Sequence, residues 1–518
     1  MNLPAPFAPV PAVHGAPAAA AGMATLTADT ASADTASANT ASAATATAST
    51  TAPAFMRAPR TVEDTGLPFL FLVELLLKVL AQRGQLKLPE LASHLKLAVG
   101  VIDPLIAFMR TEKLCEVTRR GGSGTDADLA YHLTELGHER ARQCRERNAY
   151  AGPAPVTLAD YRRQVALQSV ADLHVTRADV TREFNDIVVN QQVLDQLGAA
   201  MNSGRAIFIH GLAGSGKTYL AERLRGLLHG DIALPYAIMI DGEVVPFYDP
   251  VQHRASTQVE AAAPDSAGYD SIDKLRSIDL RWVRGVQRPA TLTGGELTLE
   301  MLDLRFDPNT RLYQAPPHLK ANNGIFIIDD LGRQRCSPLE LMNRWIVPMD
   351  RGIDYLSLHT GHVFEVPFDV VVVFSSNFLP ERLSDGAFLR RLGYKIEVPP
   401  QTEAEYERIF RQVCQQAGLN FEPDAYHYLL QEKHRREDVP LLACYPRDLI
   451  RQLLDLARYE AAPAVMTRAA LDWAWHNYFA GAGVRRMAAA QHHYSTGGDA
   501  DRERRDGGAA LNPMKANS

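Results

Sequence analysis

Apolar positions recur at helical spacing from Leu67 to about Arg83 and stop at Gly84, which predicts one helix. Leu88–Leu95 repeats the spacing, and so does a stretch from about Val101 to Glu112. Leu114–Arg119 and Leu129–Thr134 read as two short extended segments around a Gly-rich loop, Arg120–Asp126, before helical spacing returns at Glu135–Gln143. The texture then changes. Phe184–Gln192 leads into a helix ending before Gly204. Ala206-Ile-Phe-Ile-His210 follows as an unbroken apolar run, short enough for one buried strand, and Tyr219–His229 resumes helical spacing. Tyr236–Ile240 and Glu243–Phe247 flank Asp241-Gly242, a strong hairpin signal. Gly324–Ile328 and Phe368–Phe374 are further continuous apolar runs of the kind a parallel sheet buries on both faces. Between them, Ser337-Pro-Leu-Glu340 is a capping box that opens a helix through Ile346, and a hairpin is expected around His359–His362. From Thr402 the period is helical throughout: one helix to Ala417, one over about Pro423 to Lys433, one opening at Pro446, and one from Thr467 to Tyr478.

Composition divides this pattern into regions. Residues 1–64 are an Ala/Thr/Ser/Pro arm with too few large apolar side chains to offset ordering entropy, and disorder is expected there. Residues 65–148 form a first small domain, 149–180 a linker marked by Gly152-Pro-Ala-Pro155, and 181–400 an α/β core with an insertion at about 245–300. A helical domain at 401–482 and a disordered tail at 483–518 complete the chain. A net charge of −6 over 518 residues gives no global argument for nucleic acid. The five cysteines lack metal-ligand or disulfide spacing. No apolar window is long enough to span a bilayer and no signal peptide is evident, so a cytoplasmic protein without membrane contact is expected.

The chemistry is concentrated after the first buried strand. Gly211-Leu212-Ala213-Gly214-Ser215-Gly216-Lys217-Thr218 is a G-x-x-x-x-G-K-[ST] loop in strand–loop–helix context. Its glycines let backbone N–H groups wrap phosphates, and the next helix presents its positive end to the same anion. Lys217 is expected on the β- and γ-phosphates of ATP, and the Thr218 hydroxyl on Mg²⁺. The strand Gly324–Ile328 ends in Asp329-Asp330. Asp329 suits the metal; Asp330 is placed to orient or deprotonate the attacking water. Ser375-Ser-Asn377, at the end of another strand, offers polar groups to the γ-phosphate or the water.

The loop, the acid pair, the strand ending in Asn377, the segment Asp385-Gly-Ala-Phe-Leu-Arg390-Arg391 and the helical tail together resemble AAA+ ATPases over about residues 180–480. The helix, hairpin and strand after the acids are most similar to the MoxR-type branch. The resemblance implies a P-loop α/β fold with parallel strand order 5-1-4-3-2 and an all-helical lid. It also implies a ring, usually a hexamer, with ATP between subunits. Asn377 matches the sensor-1 position, Arg390 and Arg391 the place of an arginine finger, and Arg447 the sensor-2 arginine. Phe184–Gln192 is similar to the segment that packs around adenine. Family members usually carry Asp-Glu where this chain has Asp329-Asp330, which points to slow hydrolysis or a switch.

The first domain resembles a winged helix. Its expected recognition helix begins Val99-Gly-Val-Ile-Asp-Pro-Leu105, without Arg, Lys, Asn or Gln to meet base edges, and only Arg119 and Arg120 of the wing suit phosphates. A protein contact is therefore favoured over DNA. The function expected is ATP hydrolysis coupled to remodelling or assembly of a protein client. A DNA-bound regulator and a slow nucleotide switch or scaffold are the alternatives.

Overall fold

The computed structural model describes residues 57–119, 129–256, 278–383 and 386–479. The disorder expected over most of the N-terminal arm and in the C-terminal tail, the loop with Arg120, and Asp385 all lie outside them.

The first domain packs helices Phe69–Arg83, Leu88–Leu95 and Val99–Thr111 around Leu75, Leu76, Leu91, Ile102 and Leu105. Gly84 ends the first helix at φ 80°, its N–H returning to the Leu80 carbonyl. Strands Cys115–Arg119 and Leu129–Leu133 pair antiparallel, and a two-residue strand, Leu86–Lys87, joins on the other side of Leu129–Leu133. That third strand is too short to show as a period. Thr134 then caps helix Glu135–Arg147 by accepting from the Gly137 N–H.

The stretch 149–180, expected as a linker, is folded. Val156–Thr157 pairs parallel with strand Ala237–Ile240, itself hairpinned to Glu243–Pro246. Thr157 caps helix Leu158–Leu167, which buries Tyr161 and Val165. Gly and Pro punctuate this stretch, but its two apolar faces find cover. Arg281, 3 % exposed, pins the region: it pairs with buried Asp279 at 2.8 Å and donates to the carbonyls of Thr65 (3.0 Å) and Pro155 (3.1 Å). Met239 also packs against the first domain's core.

Five parallel strands form the central sheet: β1 (Ala206–His210), β2 (Ala290–Thr293), β3 (Gly324–Ile328), β4 (Val370–Ser376) and β5 (Leu392–Glu397). Their order is 5-1-4-3-2. The stretch 245–300, expected as an insertion, thus contains a core strand, because four residues of alternating burial carry too little pattern to stand out. Alternate side chains serve opposite layers. Ile207, Ile209, Ile325, Ile327, Val371 and Val373 meet Leu197, Leu220 and Leu224 on one face. Phe208, Phe326, Ile328 and Phe374 meet Leu341, Met342 and Trp345 on the other. Each such buried side chain contributes roughly 1.5–3 kcal/mol before chain entropy is counted. Covered on both faces, with its second-from-edge strand feeding the glycine loop, this is the α/β fold of a P-loop NTPase.

Helix Pro338–Arg351 and the hairpin Ile353–Ser357/Val363–Pro367 intervene between β3 and β4 as expected. Helices Glu403–Gln416, Pro423–Tyr428 (continued by a π-helical stretch to Arg435), Cys444–Tyr459 and Arg468–Tyr478 form a separate core around Tyr406, Phe410, Leu449 and Leu471. Among the described residues no single helix is long and apolar enough to cross a membrane, though one bent pair, Leu88–Leu95 with Val99–Thr111, passes that test by length and composition; much of it is packed in the first domain's core.

Candidate nucleotide site

β1 ends at His210 and the chain turns through three glycines at positive φ: Gly211 (150°), Gly214 (86°) and Gly216 (97°). Two of them are required by close approach as well. A Cβ on Gly211 would lie 2.5 Å from the Val398 carbonyl oxygen, and one on Gly214 would lie 2.5 Å from Cys444 Sγ. A Cβ on Gly216 would meet nothing within 4 Å, so this glycine faces open space at the start of helix Lys217–Arg223.

Lys217 is 6 % exposed and lies back across its own loop, donating to the carbonyls of Gly211 (3.1 Å) and Leu212 (2.9 Å) and to Asn377 Oδ1 (2.8 Å). Burial holds its ammonium pKa below the ordinary lysine value, while the Asp330 and Asp329 carboxylates pull it upward. Asn377 Nδ2 donates to Asp330 Oδ1 at 2.9 Å. An ammonium can only donate and a carboxylate can only accept, so the two neighbours fix the orientation of the Asn377 amide. Lys217, Asn377 and Asp330 are therefore one hydrogen-bonded chain.

The arrangement around Thr218 is equally compact. Thr218 Oγ1 donates to Asp329 Oδ2 at 2.8 Å, joining the end of the loop to the end of β3. Among the described residues Asp329 Oδ1 is buried without a partner, as are Ser215 Oγ and Ser375 Oγ. A buried, unpartnered carboxylate oxygen beside a threonine hydroxyl fits a divalent cation of the magnesium type, whose ligands are oxygens. The glycine loop with Lys217 fits a triphosphate. Thr218 and Asp329 would hold Mg²⁺, directly or through water, and the ion would supply neutralisation of phosphate charge.

Asp330 sits at φ 49°, a conformation that non-glycine residues seldom adopt. Its turn is tied to β4: the Leu331 N–H donates to the Ser375 carbonyl (2.8 Å), and Ser376 Oγ donates to the Leu331 carbonyl (2.7 Å). Ser376 thus serves backbone, and both Ser375 and Ser376 are fully buried. Gln334 closes the turn from the other side, a contact the sequence pattern does not reveal. Its only forerunner there is an amide four residues beyond the second acid.

The three arginines are not gathered with these groups. Arg390 and Arg391 immediately precede β5, whose Leu392 pairs with Ala206, the first residue of β1. They therefore lie at the end of the sheet opposite the loop, roughly 16 Å away at about 3.3 Å per residue. Arg390 is exposed. Arg391 Nε donates to both carboxylate oxygens of Asp350, at 3.0 and 2.8 Å. Arg447 occupies the first turn of helix Cys444–Tyr459 with its side chain 77 % exposed and 3.6 Å from Asp448. The helix itself does reach the site, because the Cys444 N–H donates to the Gly214 carbonyl at 3.2 Å. Leu212 packs against the core of the helical domain. In the lead-in segment Phe184 is buried, and Gln412 of helix Glu403–Gln416 donates to the Asp186 carbonyl.

A domain of unknown function (DUF8689) matches residues 402–477, the four-helix domain. No curated protein matches the chain. Among solved structures, NtrX from Brucella abortus in complex with ATP is 16 % identical, with a TM-score of 0.33, over 64 % of this chain and 67 % of that one. The Thermotoga maritima RuvB Holliday junction branch migration motor is 13 % identical, with a TM-score of 0.29, over 58 % of this chain and 68 % of its own.

Proposed function

We propose that this chain is an AAA+ ATPase that binds Mg·ATP at the glycine loop and hydrolyses it. The observation that carries the reading is the convergence of three strand ends: Thr218 on Asp329, and Lys217 on Asp330 through Asn377. Backbone N–H groups and Lys217 bind the phosphates, Thr218 and Asp329 hold the cation, and Asp330 orients the attacking water. Asn377 stands between Lys217 and Asp330, where it can report the γ-phosphate to the acid. Arg390 is the better finger of the pair, since Arg391 already has a bidentate partner in its own subunit. Both lie at the end of the sheet opposite the subunit's own loop, and in this reading they serve a ring in which each copy completes its neighbour's site. Turnover would then be coupled to remodelling or assembling a protein client, with the first domain, of winged-helix type, as the contact. Calorimetry with Mg·ATP on the wild type and on Lys217→Ala tests the binding step, and steady-state phosphate release tests turnover. Binding that survives in Lys217→Ala unchanged sinks the assignment.

A slow nucleotide switch is the second reading. The Asp330 carboxylate already holds a hydrogen bond from Asn377 and sits on a side chain one methylene shorter than glutamate. ATP binding with phosphate release too slow to support repeated cycling would favour it.

A further inference from the structure

The turn that carries the acid pair has almost no regular secondary structure, and its backbone groups find partners elsewhere one at a time. The Asp329 N–H donates to the Thr293 carbonyl (2.8 Å), the Arg333 N–H to the Asp330 carbonyl (3.0 Å) and the Leu331 N–H to the Ser375 carbonyl (2.8 Å). Two further groups of the turn are taken by one side chain. Gln334 Nε2 donates to the Asp329 carbonyl at 2.9 Å, and Gln334 Oε1 accepts the Gly332 N–H at 2.9 Å. The same Nε2 lies 3.4 Å from the carbonyls of Asp330 and Gly294. The carboxamide closes the loop as a neighbouring strand would, one donor and one acceptor facing one acceptor and one donor.

Inside that closed loop Asp330 is held at φ 49° and Gly332 at φ 106°. A left-handed aspartate persists only where its surroundings over-determine it. Asp330 has one side-chain anchor, Asn377, and its backbone is fixed on one flank by β4 and on the other by Gln334. We infer that Gln334 is a positioning residue for Asp330: it touches neither nucleotide nor metal, and it sets the direction in which the Asp330 carboxylate points. This rests on the ATPase reading above.

Gln334→Met keeps the length of the side chain and removes both hydrogen bonds; Gln334→Glu keeps the acceptor for Gly332 and removes the donor to Asp329, and serves if the first variant does not fold. Either is expected to bind Mg·ATP within about 2-fold of wild type and to release phosphate at least about 10-fold more slowly, since misplacement on the order of 1 Å at a reacting group costs up to about 10²-fold. The deciding measurement is the double variant with Asp330→Asn in single-turnover phosphate release. If Gln334 acts through Asp330, the double variant is no slower than Asp330→Asn alone. Additive losses, a parallel loss of ATP affinity, or unchanged turnover in Gln334→Met overturn the inference and leave the ATPase reading standing. A wild type that binds ATP without turnover, or binds none, overturns both.

Discussion

The two ends of the central sheet are built from the same kinds of residue and finished differently. At the amino end, Asn322 and Asn323 lead into β3, Asp369 into β4 and Arg288 toward β2. Asn323 accepts from Gln168 (2.7 Å) and donates to the Val165 carbonyl (2.9 Å) and to Asp369. Asp369 also accepts from Ser169 (2.7 Å) and the Val170 N–H (3.0 Å). Arg288 donates to the carbonyls of His229, Gln168 and Asn323, at 2.8–2.9 Å. None of these side chains has a buried polar atom without a partner among the described residues. At the carboxyl end Asp329, Ser215 and Ser375 each do. Backbone strain does not separate the two ends, since Asn323 at φ 62° is as left-handed as Asp330 at 49°. Unfinished hydrogen bonding separates them in degree: Gln164 Oε1, next to Gln168, is left over at the amino end, against three atoms in the glycine loop, the acid pair and the end of β4. An unpartnered buried acceptor costs free energy unless something binds there, so the carboxyl end is shaped for a ligand and the amino end for stability.

The strongest test of that contrast uses an exposed group at the quiet end that lies outside this network, Arg390. Arg390→Ala is expected to lower phosphate release by about 10³-fold or more, as loss of a finger supplied by a neighbour does. Mixing Arg390→Ala with Asp330→Asn should restore part of the activity, because some interfaces then pair an intact arginine with an intact acid. No recovery, with subunit exchange demonstrated, would show that the amino end is silent in every copy. Next in size, Asp330→Asn should retain Mg·ATP binding and lose about 10²-fold or more in turnover. Asp329→Asn should instead raise the Mg²⁺ concentration needed for binding. Lys217→Ala should weaken ATP by on the order of 10²-fold, the worth of a charge-assisted hydrogen bond to phosphate, read by calorimetry.

At the amino end the expectation reverses. Asn323→Ala should cost about 3 kcal/mol in urea unfolding, by orphaning buried partners and placing alanine at positive φ, while ATP affinity at 10 °C stays within about 2-fold. A loss of affinity with intact stability would erase the distinction between the ends. The smallest effect at neutral pH concerns neither end. His434 is buried in the helical domain, where burial pushes its pKa down to about 4. The Val439 carbonyl can only accept, so Nδ1 carries the proton and Nε2 accepts from the Tyr406 hydroxyl (3.1 Å), the neutral form. Its folded pKa lies below the unfolded value near 6.5, so its contribution is whole above about pH 6.5. It is lost as pH falls toward 4, by about 3 kcal/mol in all. Urea melts followed by the fluorescence of Trp475, whose ring is 4.8 Å from His434, should show this, and His434→Leu should flatten it.

These contrasts explain which residues the sequence made legible. The glycine loop, Lys217, Thr218 and the acid pair announce themselves because phosphate chemistry demands those types at that spacing. Three of the five core strands stood out as continuous apolar runs; β2 and β5 did not, since Ala290–Thr293 is short and half-polar and Leu392–Glu397 mixes polar and apolar positions. Gln334, Asn322 and Asn323 look like ordinary loop residues, and their importance lies in partners supplied by distant segments. The same holds for 149–180. Gly152 and Pro153 suggest a tether, and only the pairing of Val156–Thr157 with Ala237–Ile240 shows otherwise.

That pairing, with Arg281 locked between Thr65 and Pro155, bears on how the protein can be taken apart. A cut at Gly152–Pro155 would look harmless, yet with the first domain it would take away the Thr65 carbonyl, one of the two carbonyl acceptors of the buried Arg281 guanidinium. The first domain is thus not a detachable module to be exchanged between chains as a unit. Any exchange of the first domain for another must supply a new acceptor for the Arg281 guanidinium in place of the Thr65 carbonyl.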